Sequence, residues 1–275
     1  ILLSTANYNS TLIGWATQTL KPNEQIDFGL SSFSNAALAS RNSIISNYGW
    51  TITDSGEVNE FATLPTGAFV YSAKTTGTYT IPTKSGETYN YDVSTSDGQT
   101  FTGATGNTTI TFPSAGTYDI AITGNFARPY FQSDQALDSV KQWSNTPLTS
   151  LEQSFDGCYG FRNLATNAPD LSICTSMRKT FYNQAGRNYK NVGLSRYVNS
   201  LNNWNTSNIT NMRETFSYTR MNYANLGNWN TSNVTTMKYM FSNATEFNNG
   251  GIDNLNNWDV SKVTDFGSMF SNCDS

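Results

Sequence analysis

Apolar residues recur at fixed positions in the last half of the chain, inside a phrase that repeats. The phrase reads WNTSNITNMRETF over 204–216, WNTSNVTTMKYMF over 229–241 and WDVSKVTDFGSMF over 258–270, and looser copies start near 143 and 169. In one copy Ile209, Met212 and Phe216 fall at i, i+3 and i+7, the spacing of one helical face. The pattern predicts that each copy forms a short strand, a polar turn and about two turns of helix.

One such unit is too small to bury its own large side chains, so the copies are expected to stack on a shared core. The expected core residues are the Trp, Met and Phe positions of the five copies: Trp143, Phe155, Met177, Phe181, Trp204, Met212, Phe216, Trp229, Met237, Phe241, Trp258, Phe266 and Phe270. Cys158, Cys174 and Cys273 also occupy repeat positions, where small buried apolar side chains are expected. The sequence also allows a disulfide between two of them.

The repeated phrase, W-[DN]-x-S-x-[VI]-T-x-[MF]-x-x-x-F, resembles the BspA-type leucine-rich repeats of bacterial surface proteins. The resemblance covers roughly the last half of the chain, in several copies that hold the same register. It implies a solenoid of repeats on a cell surface or in a secreted protein, used for attachment. It offers no catalytic residues to carry over.

The first half of the chain divides into two further segments. In residues 1–57, helices are predicted near 7–20 and 35–49, followed by a strand in WTITDSG. This segment resembles the unit that closes such arrays in Bacteroidetes surface proteins, which implies a cap of a preceding repeat array. In residues 58–131, short alternating runs between Gly, Pro and Asp-Gly turns predict a small antiparallel β-sandwich.

Within that second segment, SAGTYDIAITG over 114–124 resembles a PKD-like or immunoglobulin-like module. The third segment, 132–275, is the repeat array. The sequence therefore predicts an α+β chain made of an N-terminal helical cap unit, a sandwich and a leucine-rich-repeat-like solenoid. We also expect it to be a segment of a longer chain.

Composition and charge reduce the number of function classes to consider. The 275 residues carry a net charge of −4 and 13% charged residues, which gives no basic footprint for nucleic acid. No apolar run is long enough to span a bilayer, so no membrane insertion is expected. The polar, aromatic-rich composition is typical of extracellular proteins. The chain has no His, the commonest general base and zinc ligand.

Two groups of carboxylates are candidates for chemistry. Asp253, Asp259 and Asp265 form the densest acidic cluster, which would suit glycoside hydrolysis but is expected to be solvated loop charge. Asp92, Asp97 and Asp119 could supply oxygen ligands to calcium in the sandwich. No other cofactor or metal, and no catalytic residue, is expected.

Tyrosines in or beside the repeat loops are the candidate partner-binding residues, because aromatic faces next to Asn and Gln suit sugars and proteins. They are Tyr182, Tyr189, Tyr197, Tyr218, Tyr223 and Tyr239. The alternative is ordinary loop packing.

The functional hypothesis is a non-enzymatic structural or adhesion segment of a larger repetitive surface protein, located outside the cell. Its partners would be host, matrix or neighbouring-cell proteins or glycans. One alternative is a subunit or repeating module of an extracellular filament, sheath or phage fibre that contacts copies of itself head to tail. A second alternative is a glycan-active enzyme.

Overall fold

The computed structural model describes residues 3–61, 63–159, 161–183, 199–219, 225–244 and 254–273. Its first elements are α1 Thr5–Ala16, β1 Gln25–Asp27, β2 Phe33–Ser34, α2 Asn35–Tyr48, β3 Thr51–Thr53 and β4 Glu57–Asn59. Ser4 caps the N-terminus of helix α1, because its side chain accepts a hydrogen bond from the Asn7 amide. Gly49 follows helix α2 and adopts the left-handed conformation that is common after helices. Both helices lie in the stretches for which helix was predicted.

The remaining strands belong to the middle of the chain. They are β5 Phe69–Thr75, β6 Thr78–Ile81, β7 Asn90–Thr95, β8 Thr100–Ala104, β9 Thr108–Thr111, β10 Gly116–Asn125, β11 Leu137–Gln142 and β12 Arg162–Asn163. Eight strands form one sheet, with β12, β11, β5, β10, β4 and β2 side by side. Strand β7 pairs with the second half of β10, and β8 pairs with β7. Strands β6 and β9 form a separate antiparallel pair.

The central sheet is mixed. Strand β10 is antiparallel to β5 and β7, whereas β10 with β4, β2 with β4, and β11 with β12 are parallel pairs. Strands β2 and β4 come from the first predicted segment or its boundary, and β11 and β12 come from the third. The predicted small antiparallel sandwich is therefore wrong, because one mixed sheet takes strands from all three predicted segments.

Alternation along the central strands gives the sheet two different faces. Phe69, Tyr71 and Ala73 of β5 lie in the main hydrophobic core, together with the β6–β9 pair. Ser72 and Lys74 of the same strand line the opposite, polar face. The main core continues without interruption into the repeats.

Only two α-helices, α1 and α2, occur among the described residues, and β2 and β4 from the same part of the chain join the mixed sheet, so the predicted separate helical cap unit is wrong. The predicted solenoid of strand–turn–helix units is also wrong, because the described copies of the repeat contain no α-helix. The physical reason lies in two left-handed residues four positions apart in each copy, such as Glu214 (φ 57°) and Tyr218 (φ 59°). An α-helix needs right-handed φ at every position. Instead, reverse turns follow one another, with the amides of Thr215 and Ser217 donating to the carbonyls of Met212 and Glu214.

Consecutive turns bring Met212 and Phe216 to the same side, so the spacing that suggested a helix arises without one. The backbone of each copy is instead tied to the next copy. The Phe amides of four copies donate in this way: Phe155 to Thr180 (3.0 Å), Phe181 to Thr215 (2.9 Å), Phe216 to Met240 (2.9 Å) and Phe241 to Met269 (2.9 Å). We call these links the backbone ladder.

The Phe rings form a continuous column beside the backbone ladder. Neighbouring rings are 5.4 to 5.9 Å apart and within 5 to 8° of parallel, through Phe131, Phe155, Phe181, Phe216, Phe241 and Phe270. The Trp residues pack against this column, and the indole N–H groups of Trp229 and Trp258 donate to the Leu201 and Leu226 carbonyls. The copies therefore share one core.

Most of the expected core residues lie in this shared core. The buried ones are Trp143, Phe155, Met177, Phe181, Trp204, Met212, Phe216, Trp229, Met237, Phe241 and Trp258. Phe266 and Phe270, in the last described copy, are 44% and 49% exposed. No described copy covers that side of the stack.

The close approach of two strands at Gly124 gives a first prediction. Gly124 has φ 84°, and a Cβ placed there would lie 2.8 Å from the backbone oxygen of Asn90 on β7. We expect Gly124→Ala to lower the free energy of unfolding by at least about 2 kcal/mol, since it adds a clash to an unfavourable φ. Gly103→Ala, at φ 66° with open space around it, should lose about 1 kcal/mol. Urea denaturation measures both, and equal losses would contradict the prediction.

Candidate binding surface

The tyrosines of the repeat exterior are the first candidate for a functional surface. The rings of Tyr182 and Tyr218 meet edge to face with centroids 5.6 Å apart. Tyr218 is 47% exposed, and Tyr182 and Tyr239 are half-buried. The other three candidates, Tyr189, Tyr197 and Tyr223, lie outside the described residues. The structure thus brings two of the six candidates into contact.

The backbone ladder sets the direction of these side chains. Tyr218 and Tyr239 both occupy left-handed positions, and the Tyr218 amide donates to Ser242 and the Tyr239 amide to Gly267. Their Cα–Cβ directions are consequently fixed by backbone bonds between copies. Binding surfaces on fixed elements are more precise than those on free loops.

Basic side chains accompany the tyrosines, and sequence reasoning missed them. The Lys179 ammonium lies 4.4 Å from the Tyr182 ring centre, and Lys238 lies 5.5 Å from the Tyr239 ring centre. The Arg213 guanidinium is 5.9 Å from the Tyr239 ring centre. Such distances give cation–π attraction.

The signal for two of these cations, Arg213 and Lys238, is present in the repeat itself. The residue after the repeat Met is basic in three successive copies, Arg178, Arg213 and Lys238. Aligning the copies on Met would have shown a basic column on the exterior. We define the tyrosine strip as Tyr182, Tyr218, Tyr239, Lys179, Arg213, Glu214 and Lys238.

Charge within the tyrosine strip is partly compensated. The Glu214 carboxylate pairs with Arg213 at 2.7 Å and Lys179 at 3.2 Å. Burial raises the pKa of Glu214, but these two cations outweigh burial and hold its pKa below the usual value. Burial, followed by the neighbouring Tyr218 and Glu214, raises the pKa of Tyr182. The tyrosine strip thus combines three basic side chains and one acidic side chain with three tyrosines.

The acidic cluster expected from the sequence is not assembled in the described residues. Asp253 lies outside them. Asp259 accepts from the Ser261 amide at 2.9 Å, and hydrogen bonds from Ser261 lower its pKa. Asp265 accepts from the Gly267 amide at 2.9 Å and lies 3.7 Å from the Lys238 ammonium. Both carboxylates stabilise local turns.

The three candidate calcium ligands are engaged separately. Asp92 accepts from the Gly103 amide, and Asp97 accepts from Thr95 and Gln99. Asp119 is fully buried on the polar face of the central sheet. Over the described ranges, no group of three or more Cys, Asp or Glu residues is placed to hold a metal ion.

Asp119 instead belongs to a buried ion pair. It lies 2.9 Å from the Lys141 ammonium and accepts hydrogen bonds from the Ser72 hydroxyl and the Phe61 amide. Lys141 also pairs with Glu60 at 2.8 Å. Burial raises the pKa of Asp119 although Lys141 and Ser72 act in the opposite direction.

Two of the cysteines, Cys158 and Cys174, are free thiols in the structure. Cys158 and Cys174 are buried and Cys273 is partly buried. The Cys158 thiol donates to the Phe131 carbonyl, and burial raises the pKa of Cys158 well above its usual value. A thiol in this environment is unreactive as a nucleophile.

Comparison with known protein families gives a match to a family of unknown function. The family described as "Mycoplasma protein of unknown function, DUF285" matches residues 187–275, about the last third of the chain. No curated protein matches the chain, and no solved structure matches it. In the portion of the chain that the structure describes, no helix is both long enough and apolar enough to cross a bilayer.

Proposed function

We propose that this chain is a non-enzymatic adhesion segment of an extracellular surface protein that binds protein or glycan partners through the tyrosine strip. The observation that carries the proposal is the joint placement of Tyr182 and Tyr218 beside cations on a backbone tied from copy to copy. Rigid aromatic side chains next to Arg and Lys are the usual anchors of binding surfaces. The likeness of the repeat phrase to BspA-type surface proteins supports the extracellular location.

Polar residues at another position of the repeat, directly after the repeat Trp, form ordered turns. Asn205, Asn230 and Asp259 accept bonds from the backbone two residues on, so each forms a turn at the same repeat position. Such side chains hold the exterior in one shape. A partner that contacts several copies would meet a surface that is already ordered, which lowers the entropy lost on binding.

The test is a binding screen against matrix proteins and host or bacterial glycans, followed by variants. We expect Tyr182→Ala/Tyr218→Ala to weaken binding of any partner found by at least about tenfold, since anchor residues carry most of the energy. Tyr130→Ala is the matched control, because Tyr130 also lies against a lysine, Lys84, but outside the strip. Equal loss in the two variants would contradict the proposal. So would turnover of a polysaccharide that disappears in Asp259→Asn.

A second candidate is a module of an extracellular filament that contacts copies of itself. It rests on Val260, Phe266 and Phe270, which leave apolar surface open on the last described copy. Exposed apolar patches mark association surfaces. Sedimentation over a range of concentrations should then show self-association that Phe270→Glu removes. A monomer at all concentrations would exclude this candidate.

A further inference from the structure

A groove of about 1120 Å³ lies over the polar face of the central sheet. Its floor is formed by β11, β5 and β10, one wall by the first segment near Leu30, and the other wall by Tyr159 and Leu164 after the first copy of the repeat. Ligand sites form preferentially where separate parts of a chain meet, and their usual volume is roughly 300 to 1,000 Å³. This groove is large enough for several linked units of a ligand.

The acidic and basic side chains that line the groove are equal in number. Its described lining holds three carboxylates and three cations: Glu57, Glu60, Asp138, Lys74, Lys141 and Arg162. Asp138 pairs with Arg162 and, at 2.8 Å, with Lys74. Burial raises the pKa of Asp138, but these two cations outweigh burial and hold its pKa below the usual value. A strongly charged ligand therefore finds no excess of opposite charge.

Hydroxyl groups and exposed large apolar side chains also line the groove. Ser32, Ser55 and Thr117 line the groove. Ser139 in the floor is fully buried, and its hydroxyl has no hydrogen-bond partner in the described residues. Leu30 is 81% exposed and Tyr159 is 38% exposed. The groove thus offers hydrogen-bond donors and acceptors together with exposed apolar surface.

A peptide is the weaker fit, because the floor offers no free strand edge. Strand β5 lies between β11 and β10, and β11 lies between β12 and β5. An extended peptide gains its affinity mainly from backbone bonds to an open edge or from apolar pockets. The groove provides hydroxyls and ion pairs instead. Polyhydroxylated ligands use such groups as both donors and acceptors.

We propose that this groove binds a neutral oligosaccharide. The Lys74 ammonium, which is 65% exposed at the side chain, and the Arg162 guanidinium donate to sugar hydroxyls. Tyr159 and Leu30 cover the apolar faces of the sugar rings. This site is separate from the tyrosine strip and does not depend on the function proposed for the strip.

The experiment is isothermal titration calorimetry with cellotetraose, mannotetraose and chitotetraose, using tetragalacturonate and a Gly/Ser octapeptide as comparison ligands. We expect at least one neutral tetrasaccharide to bind with a Kd of about 1 mM or tighter. Tyr159→Ala and Lys74→Met should each weaken that binding by about tenfold. Ile173→Ala, an exposed apolar residue outside the groove, and Tyr218→Ala should leave it unchanged.

Three results would overturn the proposal. The first is that no neutral tetrasaccharide binds at a ligand concentration of about 10 mM, ten times the expected Kd. The second is binding that survives both groove variants or is lost in Tyr218→Ala, which would place the sugar on the tyrosine strip. The third is tighter binding of tetragalacturonate or of the octapeptide. Circular dichroism of each variant confirms that a loss of binding does not arise from unfolding.

Discussion

Phe216→Ala is expected to lower the free energy of unfolding by about 3 to 5 kcal/mol, the usual loss for a large aromatic residue removed from a core. The Phe216 side chain is fully buried. Its ring stacks between Phe181 at 5.5 Å and Phe241 at 5.7 Å, and it also contacts Trp229 at 5.7 Å. The substitution opens a cavity in the middle of the ring column, where the backbone ladder prevents the neighbouring copies from closing it.

Phe270→Ala provides the matched control, because it makes the same change at the same repeat position. Phe270 is half exposed and stacks on Phe241 at 5.4 Å. We expect a loss of about 1 kcal/mol, since less apolar area is removed from the core. Guanidinium denaturation of the two variants and the unmodified protein gives the comparison. Similar losses at both positions would show that the Phe residues do not form one buried column.

Lys141→Met is expected to lower the free energy of unfolding by about 3 kcal/mol at neutral pH. The change leaves the buried Asp119 carboxylate without its cation, and breaking a buried ion pair on one side typically costs about 3 to 5 kcal/mol. Asp119→Asn/Lys141→Met should recover most of the loss, because it removes both charges. Lys21→Met, in the exposed pair with Glu24, should cause no measurable change.

The pH dependence of Lys141→Met follows from the pKa of Asp119. Its pKa is already raised by burial, and the variant removes the cation that opposes that rise. Stability from the uncharged carboxyl is fully present below the unfolded pKa, near 3.8, and is lost as pH rises through the folded pKa. The deficit of the variant relative to the unmodified protein should thus shrink as pH falls. A deficit that is constant with pH would mean that Asp119 does not carry it.

The sequence predicted which large apolar residues of the repeat would form the core, but it predicted the wrong local structure between them. Two residues four positions apart, such as Met212 and Phe216, lie on the same side both in a helix and in two successive turns. The spacing of apolar residues alone therefore does not distinguish a helix from a pair of turns. The left-handed residues decide the structure, and they are Glu214 and Tyr218 rather than Gly. Bonds between copies hold these residues in a conformation that local propensity disfavours.

The two proposed binding surfaces show the same division between what the local sequence predicts and what it does not. Tyr182 and Tyr218 were accessible to sequence reasoning because they follow the repeat phrase, and the basic column could have been read from the same alignment. The groove could not have been found in this way. Leu30, Lys74 and Tyr159 are far apart in sequence, and they meet because β2, β4 and β11 join one sheet. Such pairing depends on contacts between distant segments that no local pattern encodes.

The central claim is that the backbone hydrogen bonds between copies and the aromatic core that the copies share hold the repeat exterior as a single ordered surface. Native-state hydrogen exchange of the Phe155, Phe181, Phe216 and Phe241 amides tests it most directly. Each of these amides donates to the following copy. We predict that all four exchange slowly and with a common opening free energy, close to that of global unfolding. Exchange of these amides at near-unprotected rates, or independently in each copy, would contradict the claim.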